Sequence, residues 1–152
     1  MLVISLHQPW ATLMALGEKL YETRAWPTDI RGPVVVYAAK KSSIELRQVF
    51  HSDSVYEVLY RAGYKQWADL PQGALVSLHD LDGCFNSDKA KSLILTDRRW
   101  NEIAFGDYKP GRFAFHMPLI KKFDPPIPFR YSLGGPRKFF QIDDDLIKGD
   151  KA

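Results

Sequence analysis

Residues 33 to 40, PVVVYAAK, leave the chain few folds to choose from. In an extended strand successive side chains point to opposite faces, and here both faces are apolar. Such a strand belongs in the middle of a sheet with cover on both sides. The apolar run within it, Val34 to Ala39, is far shorter than the ~20 residues a helix needs to cross a bilayer, so no membrane contact is expected and the cover must come from the protein. A domain of 152 residues can supply it, since one of that size buries roughly 70% of its unfolded surface. The reading is one unit over residues 1–152, with 143–152 a frayed tail.

Other elements follow from periodicity and punctuation. LVISLHQ (2–8) alternates as a strand. Pro9 then suits a helix start, and Trp10, Leu13 and Met14 keep a helical spacing until Gly17, a natural left-handed cap, which predicts about three turns. KLYETRAW (19–26) reads as a second strand ended by Pro27. Ser42 and Ser43 open a helical stretch to about Tyr64, with a break near residues 52–54. GALVSLHDLDGCF (73–85) is a long strand bent near Gly83, and 88–105 is a loop with a short helix around Trp100 to Phe105. RFAFHMPLI alternates as a strand, Pro125, Pro126 and Pro128 force an extended connection, and RKFFQID closes the sequence as a last strand. About six strands with one helix tucked between the first two predict an α+β fold with a small, closed or nearly closed sheet.

Cys84 is the single cysteine, which excludes an internal disulfide and a thiolate zinc cluster and suits a reducing compartment. With no secretory signal or anchor at the N-terminus, the reading is a cytoplasmic protein. The four histidines show no metal-ligand spacing, so neither metal nor cofactor is expected. A net charge of +3 says little about partners. Its distribution says more: from Lys109 to Phe140 seven basic residues face one acid, whereas the tail from Asp143 holds four aspartates.

The segment after the first helix concentrates chemistry. In a strand, Leu20, Glu22 and Arg24 share one face and Lys19, Tyr21 and Thr23 the other, so Glu22 and Arg24 are neighbours. Lys19 follows the glycine turn and could swing to join them, making a Lys–Glu–Arg cluster beside Gln8 and Trp10. A polar floor with aromatic walls suits a stacked planar base whose edge is hydrogen-bonded. The plainer alternative is a Glu22–Arg24 ion pair on a solvated strand, with Lys19 kept for solubility.

SLHQPWATLMALGEKLYETRAWPTDIRGPVVVYAAK (5–40) resembles the opening of the ASCH domain, the activating signal cointegrator homology domain of the PUA-like superfamily. The family's G-x-K-x-x-E-x-R segment is met by Gly17, Lys19, Glu22 and Arg24, and its Q-P-W start by Gln8 to Trp10. FGDYKPGRFAF (105–115) resembles its second common stretch, and SLGGPRKFFQID (132–143) is a looser match that departs at Pro136 and Arg137. The resemblance implies a PUA-like small β-barrel of about six strands flanked by helices. It also implies a cleft beside the first helix, lined by the G-x-K-x-x-E-x-R residues, and a tie to RNA or modified nucleosides.

On that footing the first reading is a module that binds single-stranded RNA or a modified nucleoside. Gln8, Glu22 and Arg24 would read the base edge, Trp10 and Trp26 would stack, and Lys40, Arg112, Arg137 and Lys138 would meet phosphates. The second is a hydrolase, either a ribonuclease or similar to the N4-acetylcytidine amidohydrolases, with Lys19 and Glu22 as its catalytic candidates. The amidohydrolase pattern pairs the motif lysine with a threonine three residues on, and Glu22 stands there instead. A carboxylate favours the charged ammonium, so Glu22 suits a general base better than a partner for a lysine nucleophile. A third reading is a protein-interaction domain in a transcription or RNA complex, marked by a contiguous apolar patch. Oligomeric state is not legible in the sequence.

Overall fold

A computed structural model describes residues 1–131 and 138–148. In chain order these form β1 (Leu2–Leu6), α1 (Trp10–Ala15), β2 (Tyr21–Arg24), β3 (Gly32–Ala38), α2 (Ile44–Phe50) and α3 (Asp53–Arg61). Then follow β4 (Ala74–Leu81), β5 (Gly83–Asn86), α4 (Ser87–Thr96), α5 (Trp100–Ala104), β6 (Phe113–His116), β7 (Leu119–Pro128), β8 (Phe139–Gln141) and α6 (Asp145–Lys148). The apolar 33–40 run takes the central place expected of it. β3 is the middle strand of a five-stranded sheet ordered β7-β4-β3-β1-β8, parallel to β1 and antiparallel to β4. A second sheet, β2-β6-β5, packs across it.

Alternation along β3 divides the core. Val34 and Val36 face Met14 of α1 and Phe115 and Met117 from the second sheet's side. Val35 and Tyr37 point the other way, against Leu75 and Phe123. A further cluster of Leu13, Phe50, Leu59 and Phe105 seats α2 and α3 against the outer side of α1.

The α+β class stands, and the described residues form eight strands in two sheets where about six strands were expected. Two local features account for the larger number. The bend at Gly83 divides one long strand into β4 and β5, which belong to different sheets. The proline-rich connection becomes part of β7, an edge strand; its ladder jumps from Lys122 to Ile127, so Pro125 and Pro126 lie where no N–H donor is required. The 88–105 segment holds a ten-residue helix, α4, that the sequence reading treats as loop. Asn86 caps it by accepting from the Lys89 N–H, and Ala90 and Ile94 give it a buried i, i+4 face.

Two turns behave as expected. The break between α2 and α3 falls at His51–Ser52, with Ser43 capping α2. Gly17 adopts φ 73°, and the N–H groups of Glu18 and Lys19 both donate to the Leu13 carbonyl, which ends α1 after six residues rather than three turns. Residues 143–148, part of the expected frayed tail, include α6. Among the described residues no helix is long and apolar enough to cross a membrane.

Candidate nucleobase-binding hollow

β2 carries Glu22 and Arg24 two residues apart, on one face, opposite Phe115 and Phe113 of β6. Arg24 Nε donates to Glu22 Oε2 at 2.9 Å, and its Nη2 donates to the Ser5 carbonyl at 2.7 Å, tying the second sheet to the end of β1. The two side chains are only 20% and 12% exposed. That shelter makes the pair more than a solvated surface contact.

Beside this pair lies a hollow of about 440 Å³, bounded by the end of β1, by β2 and by the loop after α5. Its volume falls within the roughly 300–1,000 Å³ usual for small-molecule sites. Leu6, Trp10, Val49 and Phe105 form apolar walls, and His7, Glu22, Arg24, Asp107 and Arg112 supply polar groups. Trp10 fills two roles at once, since it packs against both adjoining cores while one side lines the hollow. Arg112 is held at the rim by the Thr23 carbonyl at 3.2 Å and the Asp107 carbonyl at 3.1 Å. The ring of His7 is half-buried and makes no hydrogen bond to any described residue. Burial, then the nearby charges of Lys41 and Arg24, hold its pKa below the usual histidine range against the opposing pull of Glu22, so the ring is neutral at pH 7.

The expected Lys–Glu–Arg cluster resolves into two sites. Glu22 and Arg24 line the hollow, whereas Lys19 does not. Lys19 is 1% exposed and its Nζ donates to the Tyr21 carbonyl. Burial lowers the pKa of its ammonium, with Glu22 and Glu102 pulling it back up. The two backbone hydrogen bonds from the Glu18 and Lys19 N–H groups to the Leu13 carbonyl fix the turn that leads into β2.

Glu102 escaped the sequence reading. It is 1% exposed on α5, accepts from the Leu20 N–H, and lies 3.8 Å from Arg99 Nη2. Burial raises its pKa, and the charge on Lys19 opposes that rise. It ties α5 to the G-x-K turn, and the residues directly after α5, Phe105 to Asp107, form a wall of the hollow. A glutamate inside the otherwise apolar stretch around Ile103 and Phe105 was the available signal.

Gln8 is fully buried and is not part of the lining. Its Nε2 donates to the Pro71 carbonyl at 2.7 Å and its Oε1 accepts from the Thr12 N–H at 3.0 Å, which fastens the first turn of α1 to the segment before β4. Gln8→Ala is therefore expected to cost about 1–3 kcal/mol in a urea-unfolding measurement, because two backbone groups, one buried and one half-buried, lose their partners. No loss of stability would show that those bonds do not contribute.

Trp26 also lies off the lining. Its ring meets Phe115 and Phe139 edge-on at 5.1 and 5.9 Å, with Arg24 5.9 Å and Lys138 Nζ 5.3 Å from its centroid. Lys138 itself is exposed, and so is Lys40 just beyond β3. Arg137 lies outside the described residues. No group of three metal-ligating side chains occurs among the described residues.

Two packed sheets with a sheltered Glu22–Arg24 pair lining a hollow of about 440 Å³ define a mixed α+β domain with a candidate site. The chain belongs to the ASCH domain family, whose model matches residues 4–124. It is 35% identical over 151 residues to human activating signal cointegrator 1, covering 97% of this chain and 23% of that protein. Over 83 residues it is 32% identical to the mouse protein of the same name, covering 55% of this chain and 14% of that one. The chain thus spans less than a quarter of the length of these relatives. The crystal structure of ASCH from Zymomonas mobilis superposes with a TM-score of 0.55 at 13% identity, covering 97% of this chain and 90% of that one. A point mutant of that protein gives 0.53, again at 13% identity. At such identity the likeness speaks for the fold alone.

Proposed function

We propose that this domain binds single-stranded RNA or a modified nucleoside by taking a base into the hollow beside α1. One observation carries the reading: a hollow of about 440 Å³ places an indole wall, Trp10, next to the sheltered Glu22–Arg24 pair. An aromatic wall accepts a planar ring, and the pair supplies both an acceptor and a positive charge to its edge. Arg112 at the rim and exposed Lys40 and Lys138 suit the phosphates that flank a captured base. Membership of the ASCH family is compatible with this reading.

A hydrolase reading has one feature in its favour, namely that Glu22 and His7 can both accept a proton and line the same hollow. Lys19 lends it no support as a nucleophile, because its Nζ is buried and bonded to the Tyr21 carbonyl. The interaction-domain reading gains little. Among the described residues the large exposed apolar side chains, Ile44, Tyr60, Leu95, Trp100, Ile120 and Leu146, each sit on a different element.

Fluorescence anisotropy of a labelled mixed-sequence RNA oligomer tests the reading. Binding is expected to weaken as salt rises, and Arg112→Ala should weaken it about tenfold and lower the salt slope by about one. Affinity unaffected by Arg112→Ala, or no binding at low salt, would refute it. Following the oligomer's length in the same samples separates binding from cleavage.

A further inference from the structure

Resting on the base-binding reading above, the geometry points to guanine as the preferred base, its Watson–Crick edge read by Glu22 with Arg24 alongside. Glu22 lines the hollow with a side chain 12% exposed. Its Oε2 accepts from Arg24 Nε, and no donor among the described residues reaches its Oε1. A carboxylate can only accept, and this oxygen is open to an occupant of the hollow. An occupant that pairs with it presents N–H donors, and two adjacent donors suit a two-oxygen acceptor best.

Among the four standard bases, guanine alone offers two neighbouring donors on that edge, N1–H and the N2 amine, followed by the O6 acceptor. The guanidinium of Arg24, 2.9 Å from the carboxylate, places positive charge where that keto oxygen falls. Cytosine sets one amine beside two acceptors, uracil one N–H between two carbonyls, and adenine one amine beside a bare ring nitrogen. Each of these turns at least one lone pair toward the carboxylate. Trp10 supplies the flat wall for the ring.

Titrations of the full chain with nucleoside monophosphates, read by calorimetry, test this. GMP is expected to bind about tenfold more tightly than AMP, CMP and UMP. IMP, which lacks the N2 amine, and 1-methyl-GMP, which lacks the N1 proton, should each lose about tenfold relative to GMP, since a site built for a donor rejects the analogue without it. Glu22→Gln should erase the preference for GMP over the other nucleotides, with its melting temperature as the check on folding. The analogue series uses the unmodified protein and so decides the matter even if the variant misfolds. Equal affinities for GMP, IMP and 1-methyl-GMP would overturn the guanine assignment. If RNA still binds in that case the base-binding reading survives, whereas failure of every nucleotide and of RNA overturns both.

Discussion

Lys19→Met is expected to lower the unfolding free energy by about 3–5 kcal/mol, because removing one partner of a buried charged set leaves the other uncompensated. The Tyr21 carbonyl loses its donor, and the Glu102 carboxylate, 1% exposed, loses the nearby charge of Lys19 while keeping the Leu20 N–H and Arg99. Adding Glu102→Gln should recover part of the loss. Residues that share one buried network couple by about 1–3 kcal/mol, so the double variant should be more stable than the sum of the single losses implies. Chemical denaturation of the four proteins checks this, and additive losses would mean that Lys19 and Glu102 act independently. The same variants bear on function. Because Lys19 does not line the hollow, the refolded double variant should retain RNA affinity, an outcome that a ligand-reading lysine would not give.

Stability should also fall by about 3 kcal/mol as the pH drops from about 6.5 to about 4, through His79 alone. That ring is fully buried, donates from Nδ1 to the Met117 carbonyl at 2.9 Å and accepts at Nε2 from the Ser77 hydroxyl at 2.7 Å. Both nitrogens are satisfied in the neutral form, and burial lowers its pKa from 6.5 to about 4. Above pH 6.5 the ring is neutral in the folded and unfolded chains alike, so it adds no pH dependence. Below that, the unfolded chain takes up a proton that the native ring refuses, and stability is lost until the native ring titrates too. His79→Gln should flatten the stability profile between pH 6.5 and 5, a window above most carboxylate titrations. An unchanged slope in the variant would remove His79 as the cause.

The sequence was most legible where local physics acted alone. Apolarity on both faces placed β3 at the sheet's centre, Gly17 ended α1, and the two-residue spacing put Glu22 beside Arg24. Legibility failed where an outcome depended on a distant partner. Whether Lys19 turns out to the hollow or in to the core was decided by a carbonyl two residues on, which periodicity does not reveal. Gln8 looked like a ligand reader because it borders Trp10, yet both ends of its amide are consumed by Pro71 and Thr12. His7, just past the end of β1, proved to line the hollow together with Ser5 and Leu6. α4 was missed because its face of Ala90 and Ile94 is narrow and its other positions are polar.

The most direct measurement is an amide and indole nuclear magnetic resonance titration of the labelled chain with single-stranded RNA. The proposed function requires the largest shifts at residues 5–7, 22–24 and 105–107 and at the Trp10 indole, all in one saturable process. Shifts confined to other surfaces, such as the edge strand β7 or the exposed side of α4, with the hollow unchanged, would contradict it.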